Sequence, residues 1–182
     1  MASSIVSFFC FWLTLTIPGQ DTIYITKAGK VNFKSDAPLE LIIGFSRNLA
    51  GVINADKHTF AFTIPINSFD GFNSALQKEH FRENYLETHK YPDATFQGKM
   101  IEIIDLEQTG EYEVRAKGNL DIHGVVHERI IKCQLTVKNQ GIRVATQFSV
   151  YLQDHNIQIP KVVYQKIAEE ITVEVEAEFV KR

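Results

Sequence analysis

Histidine is the residue type with which this chain could most readily bind a metal or move protons. The 182 residues include six histidines, and a metal site needs such side chains grouped with cysteine or carboxylate ligands. His123 and His127 are four residues apart, but they flank a predicted turn between strands, where that spacing does not place both on one face as a helix would. His80 and His89 have no cysteine pair or acidic cluster beside them. The spacing therefore predicts structural or solvent-exposed histidines and no metal site.

Other catalytic arrangements are equally unsupported. No serine occupies a G-x-S-x-G turn, and the glycines do not gather into a phosphate-binding loop. Cys133 is in register with Ile131 and Leu135, which predicts a buried, inert thiol. The net charge of −3, with acidic and basic residues interleaved, offers no electrostatic surface for nucleic acid. We therefore predict no catalytic residues and no cofactor; an enzyme that uses His80 or His123 is the weakest alternative.

Segments that alternate apolar and polar residues dominate the second half of the chain. They run from Tyr112 to Ile122, from Ile142 to Leu152 and from Ile171 to Phe179. Long strands of this kind form an antiparallel sheet that is exposed to solvent on one face only. A sheet of many such strands buries its apolar face most easily by closing into a barrel. We predict an all-β fold, an antiparallel barrel of about eight strands whose interior holds side chains or one small apolar ligand.

Two segments interrupt the predicted strands. Residues at about 74–88 place apolar side chains at three- and four-residue spacing, which predicts a helix with Asn73 as its N-cap. A second, short helix is predicted near 161–169. A helix across one mouth of a barrel would bury aromatic side chains against the lumen and present a few polar groups there. A simple plug that closes the barrel fits the same pattern equally well.

The first 20 residues differ from the rest of the chain. Residues 5–17 are apolar and uncharged, and Pro18-Gly19-Gln20 follows them. A helix of this length is too short for a bilayer core of about 30 Å, but it suits the apolar part of a secretory signal. We predict a signal peptide at 1–20 and one barrel domain at 21–182, with no stable membrane insertion once the signal is removed. The alternative is a retained apolar anchor.

Three motifs of the chain resemble the YceI-like family. They are Glu79–Glu87 (EHFRENYLE), Tyr91–Phe96 (YPDATF) and Gly118–Val125 (GNLDIHGV), and their spacing matches the family pattern. The likeness extends from about Lys30 to the last predicted strand. The chain departs from the family just before the helix histidine, where many members carry an Arg-Asp pair and this chain has Lys78-Glu79.

The resemblance implies a lipocalin-like barrel, exported to the periplasm, in a family associated with polyisoprenoid or other lipid-like chains, and it implies no enzyme activity. The chain is then expected to carry an isoprenoid-type amphiphile inside the barrel. The alternative is a stress-linked or structural interaction protein with a filled barrel, and a homodimer is compatible with either. His80, Asn84 and Tyr85 are expected to orient a polar head at the mouth. The ligand-binding walls are expected to be Phe33, Ile43, Phe60, Phe62, Phe81, Phe96, Leu120, Ile122, Phe148 and Val150.

Overall fold

Eight strands form one closed antiparallel barrel. The computed structural model describes residues 21–139 and 141–182, so the predicted signal peptide lies outside the described residues. Each strand pairs with its neighbours in sequence, and β8 pairs with β1 to close the barrel, which confirms the predicted architecture. The strands are β1 (Ile23–Asp36), β2 (Leu41–Asn54), β3 (Thr59–Pro65), β4 (Asp93–Met100), β5 (Gly110–Ile122), β6 (Val125–Lys138), β7 (Gly141–Tyr151) and β8 (Glu170–Lys181).

The alternation of residue types decides which side of each strand is buried. In β5 the side chains of Val114, Ala116 and Leu120 are buried, whereas Arg115 and Lys117 between them are exposed. Successive side chains of a strand point to opposite faces, so each long strand contributes one row to the barrel interior. The same pattern holds in β7 and β8, as their sequences predict.

The helix over the barrel end is shorter than the predicted range of 74–88. It consists of α1 (Ala75–His80), which continues into one π-helical turn at Phe81–Tyr85. Ser74 caps it, because its side chain accepts a hydrogen bond of 3.1 Å from the Gln77 amide; the prediction of Asn73 was wrong by one residue. The Asn73 side chain instead donates to the Leu41 carbonyl at 3.0 Å and ties the helix entrance to β2.

The predicted helix near 161–169 is reduced to a single 3₁₀ turn at Lys161–Val163. Beyond that turn, backbone groups bond to other parts of the barrel. The Gln165 carbonyl accepts from the Leu39 amide at 2.9 Å, and the Ala168 amide donates to the Ser35 hydroxyl at 2.9 Å. These contacts hold the segment against the end of β1 instead of letting it continue as a helix.

One half of the barrel is filled by side chains. At that end the Tyr24 hydroxyl donates to the Leu106 carbonyl at 3.2 Å, which fastens the loop between β4 and β5 across the opening. The filled half contains Tyr24, Ile53, Phe60, Met100, Leu106, Val114, Leu135, Val137, Ile142 and Phe179.

No helix within residues 21–139 and 141–182 combines the length and the apolar composition that a membrane crossing requires.

Candidate functional site: an apolar cavity in the barrel

The other half of the barrel is hollow. It contains a cavity of about 510 Å³ that opens at the end covered by α1. Its floor adjoins the filled half and includes Leu49, Phe62, Ala116, Cys133 and Val144. The residues at its other end, Glu40, Gln77, His80 and Lys166, belong to the helical segment and to the loops beside it.

The deep wall of the cavity is chemically inert. Its two polar side chains, Cys133 and Thr146, both turn toward strand carbonyls: the Thr146 hydroxyl donates to the Lys132 carbonyl at 2.6 Å, and the Cys133 thiol lies 3.7 Å from the Ile131 carbonyl. Burial raises the pKa of Cys133 to about 11, so this thiol stays protonated at neutral pH. A deep wall of this kind suits an apolar chain.

Polar groups are concentrated at the mouth. Glu40, Gln77, His80 and Lys166 all line the opening and keep some contact with solvent. The Gln77 side chain donates to the Glu40 carboxylate at 2.9 Å, which joins α1 to the start of β2. The cavity is thus apolar in its depth and polar at its entrance, as an amphiphile with one polar end would require.

Four phenylalanines form one wall just inside the mouth. Phe33 of β1 stacks on Phe81 of the π-helical turn, with ring centroids 5.4 Å apart. Phe72 lies 4.9 Å from Phe81, and Phe69 lies 5.5 Å from Phe33. All four rings line the cavity, so this aromatic cluster both anchors the helix and shapes the entrance.

Ten of the thirteen residues predicted to bind a ligand line the cavity. His80 and Tyr85 lie on the helical segment, and burial raises the pKa of the Tyr85 phenol. The other eight come from the strands and the helix: Phe33, Phe62, Phe81, Phe96, Leu120, Ile122, Phe148 and Val150.

Three predicted residues lie outside the cavity. Phe60 faces inward but belongs to the filled half, where its ring lies 4.9 Å from that of Phe96. Asn84 is exposed on the outer side of the helical segment. Ile43 points out of the barrel, because β2 turns Ile42 and Gly44 inward. Gly44 is required there: a Cβ at this position would lie 2.2 Å from the Phe33 ring.

Several lining residues were not predicted. The inward rows of the strands supply Leu49, Cys133, Val144, Val175 and Ala177, and strict alternation would have identified these. Phe69, Phe72, Val163 and Ile167 belong to irregular segments. An irregular segment has no period from which the direction of a side chain can be read.

His123 and His155 connect segments of the barrel end through hydrogen bonds. The His123 ring bonds through Nδ1 to the His155 carbonyl at 3.0 Å and through Nε2 to the Glu87 carboxylate at 2.9 Å. The centroids of the His123 and Tyr91 rings are 4.6 Å apart, and the two rings are arranged edge to face. We call Glu87, Tyr91, His123, Gly124 and His155 the mouth clamp, because it ties the helix exit to the β5–β6 turn and to the segment after β7.

His123 and Gly124 form the two-residue turn between β5 and β6. Both have positive φ, 55° and 70°, as a type I′ hairpin turn requires. The "HG" pair of the sequence motif is thereby explained by backbone geometry and by packing on Tyr91.

Within the described ranges, no group of three or more His, Cys, Asp or Glu side chains is arranged to hold a metal ion.

Comparison with known proteins identifies related folds. The model of the YceI-like domain matches residues 26–179. None of the curated proteins compared matches the sequence. The family match therefore includes β2 to β7, most of β1 and β8, and the mouth clamp.

Solved structures show the same fold at low sequence identity. A polyisoprenoid binding domain from Saccharophagus degradans has a TM-score of 0.77 at 16% identity, covering 90% of this chain and 100% of that domain. BcnA from Burkholderia cenocepacia has a TM-score of 0.67 at 15% identity, with 82% of this chain and 95% of BcnA covered. A YceI protein from Campylobacter jejuni has a TM-score of 0.57 at 14% identity, with 98% and 93% covered.

Proposed function

The chain belongs to the YceI-like family, and from this premise we propose that it is an exported binding protein for an isoprenoid-type or similar lipid-like amphiphile. The observation that carries the proposal is the cavity of about 510 Å³, which is apolar in its depth and has its polar lining residues at the helix end. Pockets for small ligands commonly measure about 300–1,000 Å³. The cavity is therefore of the size and chemistry that one folded lipid-like chain needs.

The ligand enters with its apolar tail first. Burial of a tail contributes about 0.8 kcal/mol per methylene, so a chain of about ten carbons binds without any charged partner. The closed floor around Leu49, Ala116 and Val144 receives the end of the tail. Phe33 and Phe81 contact the chain near the entrance, where they line the same cavity.

The polar head of the ligand stays at the mouth. His80, Gln77 and Lys166 supply hydrogen-bond donors there, whereas the deep wall offers only the occupied groups of Cys133 and Thr146. A head placed at the floor would lose its hydration without replacement, which is costly. This polarity gradient supports one orientation of the ligand.

Support for binding rather than catalysis comes from the family and from the relative described as a polyisoprenoid binding domain. Support for export comes from the sequence: residues 5–17 form an uncharged apolar stretch of the length found in secretory signals. We propose the periplasm as the site of action on this basis.

Native mass spectrometry of the protein purified from its own host tests the proposal. We expect a non-covalent adduct that organic solvent releases and that fragments as a lipid-like chain. A protein that is free of ligand on isolation, and that also fails to take up an added long-chain polyprenol, would refute the proposal. Peptide mapping of the mature N-terminus in the same preparation tests cleavage near residue 20.

A further inference from the structure

Four exposed apolar side chains lie on the segments that form the cavity mouth. Leu39 is 66% exposed, Leu76 59%, Val162 88% and Tyr164 62%. Leu76 itself lines the opening, as does Val163 between the other two. The Leu39 amide bonds to the Gln165 carbonyl at 2.9 Å, which places the loop before β2 beside the segment that carries Val162 and Tyr164. We call Leu39, Leu76, Val162 and Tyr164 the mouth rim.

The part of the rim after β7 is positively charged. Residues 160–168 contain Lys161 and Lys166 and no carboxylate. Both lysines are exposed, and neither forms an ion pair with a described residue. By contrast, the helical segment carries as many acidic as basic residues, with Lys78 paired to Asp70 at 3.0 Å. The segment that carries Val162 and Tyr164 is therefore positively charged, while Glu40 lines the same opening and Glu169 and Glu170 follow the segment.

These two properties together match a lipid bilayer. Apolar side chains with a tyrosine insert at the boundary of head groups and acyl chains, and lysines beside them are attracted to anionic lipids. Lysine side chains also reach past apolar surface to keep their charge in water. A protein partner would require no particular position of the patch, whereas here the patch surrounds the opening of the cavity.

We propose that the mouth rim docks on the surface of an anionic bilayer, so that an amphiphile passes between membrane and cavity without crossing water. This rests on the proposed function for the identity of the cargo, but not for the membrane contact itself. Passage of an apolar chain through water costs free energy in proportion to its exposed area. A mouth pressed against the bilayer removes that cost, and the closed opposite end of the barrel leaves the rim as the route of exchange.

Sedimentation with lipid vesicles tests the docking. The chain, in the same processed form for every variant, is mixed with vesicles of phosphatidylcholine alone or with added phosphatidylglycerol. We expect V162D combined with Y164D to lower the bound fraction about tenfold on the mixed vesicles. L76D changes a rim residue on a different element and should also lower the bound fraction. This variant tests the docking independently if the double variant fails to fold.

The matched control is I103D. Ile103 is 85% exposed, as much as Val162, but it lies in the loop at the closed end of the barrel. This variant should change vesicle binding by less than about twofold. K161E combined with K166E should weaken binding to the mixed vesicles by about fivefold for each lysine and leave binding to pure phosphatidylcholine nearly unchanged.

Two outcomes overturn the proposal: rim variants that bind the mixed vesicles as well as the original chain, or an I103D variant that loses as much binding as they do. Native mass spectrometry of the same samples separates this from a failure of the proposed function. A chain that retains a lipid-like ligand but shows no rim-dependent vesicle binding contradicts the docking alone. A chain that docks through its rim but never holds a ligand contradicts the carrier function alone.

Discussion

Phe33 and Phe81 lie face to face, with ring centroids 5.4 Å apart and ring planes 12° from parallel. The pair joins the wall of the barrel to the helical segment that covers its end. Both rings also line the cavity, so one contact holds the cover in place and shapes the entrance. Any change that removes it should affect stability and ligand release together.

F81A should destabilise the fold by about 1–2 kcal/mol, because it removes a half-buried ring that contacts three others. The same variant should release a bound polyprenol faster. Urea unfolding and a competition off-rate measure the two effects. N84A, at an exposed position on the same helical segment outside the cavity, is the control and should leave the free energy of unfolding within about 0.5 kcal/mol.

A116F should block ligand binding from inside the barrel. Ala116 lies on the floor of the cavity, and a ring there would displace about two methylenes of a bound tail, which corresponds to roughly tenfold weaker binding. K117F adds the same ring to the outer face of β5 and should leave affinity unchanged within about twofold. Titration with a polyprenol gives the affinities. Equal affinity of A116F and the original chain would show that the ligand does not reach the floor.

G124A should destabilise the protein by about 1–3 kcal/mol. Gly124 has a φ of 70°, and a Cβ there would lie 2.4 Å from the Tyr91 ring, so the variant strains the turn and displaces a member of the mouth clamp. In G110A the nearest atom to the new Cβ is the Tyr112 hydroxyl at 3.1 Å, at the end of a movable side chain. Thermal unfolding should therefore separate the two variants; similar midpoints would contradict the role given to the turn.

His155 should make stability depend on pH. Burial lowers its pKa below 6.5, and this outweighs the two carbonyls that accept from Nδ1. Since the unfolded chain binds a proton at a higher pH than the folded chain does, the free energy of unfolding should fall as pH drops below about 6.5, by at most about 1.4 kcal/mol per pH unit. Above that pH the contribution of His155 is complete.

H155N keeps a donor near the position of Nδ1 and removes the titration. The slope of stability against pH between 6.5 and 5 should become shallower in this variant, as urea unfolding at several pH values will show. An unaltered slope in H155N would assign the pH dependence to groups other than His155.

Cys133 should resist alkylation while the protein is folded. Burial raises the pKa of the thiol from 9.0 to about 11, so the thiolate fraction at pH 8 falls about a hundredfold relative to the unfolded chain. Iodoacetamide labelling, followed by peptide mass mapping to separate residue 133 from residue 10, measures the rate. Equal rates with and without denaturant would contradict a closed cavity floor.

Ten of the thirteen residues predicted to bind a ligand line the cavity, and their contact with a ligand stays a prediction. Phe62, Phe96, Leu120 and Phe148 face the cavity because side chains alternate along a strand. Ile43 shows the limit of this reasoning. In β2 the inward row contains Gly44 and the buried Ser46, and the outward row contains the larger apolar residues, so apolar content alone indicated the wrong side.

The sequence by itself determined the closed barrel and its family, because the two-residue period and the motifs are each contained in short stretches of consecutive residues. Only the tertiary structure decided that one half of the barrel is filled and the other hollow. That division depends on the total side-chain volume that all eight strands contribute at each level of the barrel. The sequence of any one strand does not reveal this total. It also decided that the segments carrying Leu39, Leu76, Val162 and Tyr164 meet at one end of the cavity, since segments far apart in the chain come together only after the barrel has closed.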